Sequence, residues 1–208
     1  MGGERPPSSD GKRDAMKFTN DITVSDFEAI IEPYRVDAPS VMDLRVENAR
    51  LPSMVITYLD LVRKNGGRPP TFHDFVSLMC TRTLQELNPT ALAARLRRAY
   101  VSLICQHHFG IVCCTRFTRV EWDEKLDMRH GVDIVVTTEG GRYGFDLAMW
   151  TERSQSFRKR KKQDHRSADF PVRFIGITAR YQVGPFWLFD PRRSGELSNW
   201  VYQAAYGH

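Results

Sequence analysis

The stretch GVDIVVTTEGGRYGFDLAMW, residues 131–150, decides how the rest of this chain is read. Val, Ile and aromatic residues alternate with polar ones on either side of a diglycine, the pattern of two strands joined by a tight turn. With Gly140 and Gly141 as the turn, Val136 falls opposite Phe145, Val135 opposite Asp146, Ile134 opposite Leu147 and Asp133 opposite Ala148. Strand side chains alternate, so Ile134, Val136, Phe145, Leu147 and Met149 share an apolar face. Asp133, Val135, Asp146 and Ala148 share the other. The two aspartates then sit diagonally on adjacent strands, with Cβ atoms about 7–8 Å apart or less.

Beyond the hairpin, TERSQSFRKRKKQDHRS (151–167) is polar and reads as a helix, with Phe157 anchoring it to the sheet. FPVRFIGITARY (170–181) and PFWLFD (185–190) read as strands, and ELSNWVYQAAYG (196–207) as a closing helix. Before the hairpin, IVCCTRF (111–117) and TRVEW (118–122) read as strands. Helices dominate upstream. Residues 88–110 open with Asn88 as cap and Pro89 at the first helical position, and Gly110 closes them. Thr71 caps the segment 71–87, and Asn65-Gly66-Gly67 closes the segment 50–67. Ser25 and Glu28 form a capping box for a helix from residue 25. His107 and His108 then lie at a helix C-terminus, where they favour its dipole.

The chain has 208 residues, 41% of them hydrophobic and 11% aromatic, enough for a real core. No run approaches the ~18–20 apolar residues of a membrane span. The polar start, MGGERPPSSDGKRDAMK, has no apolar signal region, so a cytoplasmic, soluble protein is expected. Cys80, Cys105, Cys113 and Cys114 make no CxxC pair and read as reduced, buried small hydrophobes. There is no phosphate-binding glycine loop of the Walker type and no G-x-S-x-G turn, and Ser154 or Ser156 with His165 and Asp169 is only a local grouping.

The net charge of +5 matters less than where it sits. Arg153, Arg158, Lys159, Arg160, Lys161, Lys162 and Arg166 crowd the segment just after the hairpin. Two close carboxylates repel unless a cation separates them, and oxygen ligands suit Mg²⁺ or Mn²⁺. Alternatively the aspartates are solvated, or pair with Arg97, Arg153 or Arg173. A metal at a scissile phosphate with Arg and Lys along its neighbours is what a nucleic-acid backbone demands. Trp150, Trp122 and Tyr143 could stack on bases or fill the core. Trp187, Phe189 and Trp200 read as core or interface.

At GVDIVV…YGFDLAMW the chain resembles the PD-(D/E)XK nuclease superfamily, over roughly residues 89–190. The resemblance implies that Asp133 is the first metal-binding acid and Asp146 the second, with Mg²⁺ or Mn²⁺ as cofactor. Ala148 stands where the family has a catalytic Lys, so Arg153, Lys159 or Arg173 would have to supply that cation. The family's upstream helix carries an acid. Here Glu86, Glu121 and Asp127 lie before or after that helix.

The expected architecture is α/β (α+β): a leader at 1–17, a helical subdomain at 18–88 and an α/β core at 89–208, with a mixed sheet of about four to six strands flanked by helices. The expected function is a metal-dependent endonuclease, with DNA ahead of RNA as substrate. Catalysis falls to Asp133, Asp146 and Arg153, and nucleic-acid contact to Arg153, Arg158, Lys159, Lys161, Lys162 and Arg173. A catalytically inactive nucleic-acid-binding protein, or a subunit of a homodimer or larger complex, is the alternative.

Overall fold

A computed structural model of the chain describes residues 15–19, 21–83, 86–149 and 168–207, with backbone only at positions 124, 128 and 129. In chain order the elements are β1 (Met16–Lys17), α1 (Val24–Ile31), α2 (Leu44–Glu47), α3 (Met54–Lys64), α4 (Phe72–Arg82) and α5 (Pro89–Cys114). Then come β2 (Arg119–Trp122), α6 (Glu124–His130), β3 (Ile134–Thr138), β4 (Gly141–Met149), β5 (Val172–Ile177), β6 (Gln182–Val183), β7 (Phe186–Trp187) and α7 (Ser194–Tyr206). The five-stranded sheet runs β1-β2-β3-β4-β5, with β4 and β5 parallel and the other pairs antiparallel. The mixed α/β class expected from the sequence is what the chain adopts.

The hairpin forms two residues out of the anticipated register. Thr138 pairs with Gly141, so Glu139 and Gly140 are the turn, and Ile134 faces Phe145. Gly141 takes φ 125°, a conformation that favours glycine, just after the turn. A shift of two preserves the alternation, so the division of faces survives from Ile134 to Leu147, while Asp133, whose N–H bonds the Phe145 carbonyl although Ile134 is the residue opposite Phe145, leaves the regular ladder. Ile134, Val136, Tyr143, Phe145 and Leu147 belong to the main core, against Phe109 of α5 and Trp200 of α7.

Helix α5 is longer than its sequence suggested. It runs through Gly110 to Cys114, so IVCC is helical and not a strand. A short apolar run fits either period, and tertiary contacts decide. Gly110 is there for space: a Cβ at this position would lie 2.2 Å from Phe18 Cζ. Phe18 follows β1 and donates its N–H to Val120 O at 2.9 Å, so β1 forms the sheet edge beside β2 and the ring just after it packs on α5.

Asn88 caps α5 and Thr71 caps α4 as read. The box on α1 moves two residues back, to Thr23 and Asp26, which frees Glu28 for another role. One hydrophobic cluster takes in Phe27, Tyr58, Phe75 and Tyr100 together with Phe145 and Phe186, so the helical N-terminal part and the sheet share a core. Trp122 and Tyr143 are buried in it, which removes them as base-stacking surfaces. Cys105 and Cys113 are buried and Cys80 is exposed, all as free thiols.

Candidate functional site

Helix α6, absent from the sequence reading, ends on Gly131 in the left-handed region (φ 61°), and this turn launches Val132 and Asp133 into β3. Asp133 donates its N–H to Phe145 O at 2.9 Å. Its carboxylate then does what the next ladder residue would do: Oδ2 accepts from Leu147 N at 2.6 Å. Oδ1 accepts from Gln106 Nε2 at 2.5 Å, reaching across from α5. Hydrogen bonds to a charged group contribute roughly 1.5–3 kcal/mol each, which offsets much of the desolvation of a residue only 2% exposed.

Asp146 occupies the middle of β4, also 2% exposed, in register with Phe174 of β5. It shares a face with Gly144, Val135 and Ala148, away from Phe109 and Trp200. That face is closed by Val132 and Phe170: a Cβ on Gly144 would come within 2.9 Å of both. Both expected acids are buried, Asp133 just before β3 with its carboxylate turned to Gln106 of α5, and Asp146 within β4 on the face away from Phe109.

The expected cations fare differently. Arg173 pairs with Phe145 across the parallel ladder and so lies on the opposite face from Asp146. Its guanidinium bonds Glu196 O at 3.2 Å and sits 5.8 Å over the Trp200 ring. It cannot stand in for the missing lysine from there, because the sheet lies between. Arg97 is likewise engaged elsewhere, with its Nε on Val36 O at 2.9 Å. Arg153, Arg158, Lys159, Lys161 and Lys162, with Trp150, lie outside the described residues.

Gln106 was the residue missed. It is 8% exposed, and its Oε1 is buried without a hydrogen-bond partner. The available signal was a polar triplet, Gln106-His107-His108, inside the apolar run LICQHHFGIV. The histidines are interior to α5 and do not close it. His107 Nδ1 lies 3.0 Å from Tyr58 OH, and burial, with His108 beside it, pushes its pKa down to about 3.

His108, fully buried, bonds Glu28 Oε1 through Nε2 at 2.9 Å, and Tyr181 OH donates to the same oxygen at 2.8 Å. Burial alone would raise the Glu28 carboxyl, but the bonds from His108 and Tyr181 outweigh it and hold it below its ordinary range. Burial and the Glu28 bond push Tyr181 up to about 12. This cluster ties α1, α5 and the segment after β5 together.

Among the described residues, no group of three or more His, Cys, Asp or Glu gathers as a metal site, and no helix is long and apolar enough to cross a membrane. In comparison with known proteins, the chain matches no family model, no curated protein and no solved structure.

Proposed function

We propose that the protein is a metal-dependent phosphodiester hydrolase of nucleic acid, DNA first, on the PD-(D/E)XK plan. The observation that carries this reading is the burial of two aspartates in one hairpin, Asp133 just before β3 and Asp146 in β4, with Gln106 of the preceding helix bonded to Asp133. The order α5, an antiparallel β2-β3-β4 run and a parallel β5 also supports it. Burying carboxylates costs several kcal/mol apiece unless charge or hydrogen bonds compensate, so packing alone gives no reason for two in one hairpin.

The donor set fits a hard divalent ion. Mg²⁺ takes one or two protein carboxylates and leaves its other positions to water and phosphate oxygens. Asp133 and Asp146 would hold it, with Gln106 Oε1, buried and unpartnered, as a neutral third oxygen. When bound, Mg²⁺ or Mn²⁺ supplies a water of lowered pKa and neutralises charge on the phosphate. The Leu147 N–H and the Gln106 amide orient the Asp133 carboxylate. Val132 and Val135, both buried, keep bulk water from the acid pair. Arg153, Arg158, Lys159, Lys161 and Lys162 are the proposed contacts to flanking phosphates, and Arg153 or Lys159 the proposed replacement for the lysine.

A second reading, a nuclease-fold protein that binds nucleic acid without cutting it, is favoured by Ala148 and by the protein donors already on both Asp133 oxygens. Plasmid and linear DNA incubated with Mg²⁺ or Mn²⁺ decide between them. Cleavage that slows on the order of 10³-fold in Asp146→Asn, at unchanged circular dichroism, is the expected result. Salt-sensitive binding without cleavage moves the assignment to the second reading. With neither, both readings fall.

A further inference from the structure

Residues directly opposite one another on neighbouring strands point to the same side of a sheet. Arg119 of β2 stands opposite Thr137 of β3, and Thr137 opposite Arg142 of β4. The next row, Val120, Val136 and Tyr143, belongs to the core, so the arginine row faces away from it. That is the face of Asp146, because Arg142, Gly144 and Asp146 alternate along β4 with Tyr143 and Phe145. With neighbouring strands about 4.8 Å apart, the two arginine Cα atoms are roughly 10 Å from one another.

Sheet surfaces are stabilised by opposite charges set across neighbouring strands. This row sets two cations and a hydroxyl there instead. Both arginines are exposed, and among the described residues neither guanidinium nor the Thr137 hydroxyl has a hydrogen-bond or ion-pair partner. The Arg142 guanidinium is placed all the same, 5.0 Å over the Phe170 ring, which leaves its planar fork for an anion from outside. Two residues along β2, Glu121 has Lys17 of β1 across from it. At its Arg142 end the row opens on a cleft of about 340 Å³, with Gly140, Phe170 and Ala205 in its walls. Asp169, exposed in the same walls, makes no ion pair with Arg142; a carboxylate repels a phosphate and accepts from the amino group of a base. Next to Ala205 stands Tyr206, its ring 5.2 Å from that of Tyr202, and the two are 58% and 60% exposed. The Tyr206 hydroxyl lies 3.5 Å from where a Cβ on Gly140 would be, so the pair sits at the hairpin tip.

We propose that the hairpin end of the sheet is a contact for single-stranded nucleic acid, in which Arg119 and Arg142 hold backbone phosphates and Tyr206, backed by Tyr202, stacks on a base. Cations beside accessible aromatic rings are what an unpaired strand binds, whereas a duplex keeps its bases stacked on one another. This contact rests on the nucleic-acid reading above and narrows the substrate to one with an unpaired stretch. Its phosphate contacts lie on the Asp146 side of the sheet, roughly 13 Å along β4 from that acid.

The test is binding of a fluorescein-labelled twelve-nucleotide single strand to the full chain in EDTA, followed by anisotropy from 50 to 300 mM NaCl. Arg119→Gln combined with Arg142→Gln should weaken binding on the order of 10²-fold at the low-salt end and flatten the plot of log K against log salt by ~1.4, the share of two phosphates. Arg142→Lys should keep the slope. Tyr206→Ala should weaken binding about tenfold at an unchanged slope, and Tyr206→Phe should restore it. A duplex of the same length should not sense Tyr206→Ala. Arg45→Gln on α2, an exposed arginine elsewhere on the chain, should change neither quantity. Thermal melts matching that of the unmutated chain are expected, since neither guanidinium is bonded within the fold. Unchanged affinity and slope in the double arginine variant, with the unmutated chain still binding, would overturn the contact and leave the hydrolase reading standing. Weakened binding at an unchanged slope in that variant also overturns it, as does a Tyr206→Ala affinity equal to that of the unmutated chain, or a duplex weakened as much as the single strand. Absence of binding by the unmutated chain overturns both.

Discussion

On one face of β4, Phe145 meets the Phe109 ring at 5.4 Å and the Trp200 ring at 5.4 Å, and Tyr143 and Leu147 continue the same apolar wall. On the other, Gly144, Asp146 and Ala148 alternate with them and carry one of two buried carboxylates. Both faces are closed to water, yet only the first is closed by what stabilises a core. Apolar burial contributes about 25 cal/mol per Å², whereas a buried charge must recover its lost hydration through particular donors. One face needs volume, the other needs partners.

Three experiments break or sharpen that contrast. The largest effect belongs to Phe145→Ala, which empties the meeting point of α5, α7 and the sheet. Urea unfolding should show a loss of about 4 kcal/mol, and a loss under ~1 kcal/mol would mean that this face is not the core it looks like. Next comes Asp133→Asn. It keeps the shape but sets an amide N–H₂ against either Leu147 N–H or the Gln106 amide. A loss of about 2 kcal/mol is expected, and Gln106→Leu added to it should cost less than the sum of the two alone, as coupled partners do.

The smallest effect is a pH dependence at Glu28. Its carboxyl binds a proton more weakly in the folded chain than in the unfolded one. Its stabilising share is therefore complete above the ordinary carboxyl range and is lost as pH falls through the lower folded value. After solvent screening, Glu28→Gln should narrow the drop in Tm between pH 6 and pH 3.5 by no more than ~2 °C. A wider drop in the variant would reverse the assigned sign.

The two faces also differ in how well they could be read in advance. The alternation of Ile134, Val136, Phe145 and Leu147 fixed the core face even though the turn was placed one residue late, because a register shift of two leaves every side chain on its own side. That the hairpin carries two acids, Asp133 and Asp146, was legible as well. Their partners were not. Gln106 is far from both in sequence, and no local pattern says that α5 passes the start of β3. Gly110 was misread for a related reason. A glycine that ends a helix and a glycine that makes room for an incoming phenylalanine look alike in a sequence. Arg173 was assigned by its charge, while its side of the sheet was set by pairing with Phe145.

The pairing of β1 with β2 bears on how the chain comes to be folded. Met16 lies beside Trp122, about a hundred positions later in the chain. The opening strand has no partner until that later segment exists, and closing so long a loop carries an entropy penalty that local helix formation does not. On a ribosome the first strand must wait, unpaired, while α1 to α5 are made. The Phe18 ring can enter its slot at Gly110 only when α5 is in place. The edge of β2 stays open to any other extended chain until β1 docks on it, so an early strand is completed only by a partner about a hundred positions downstream.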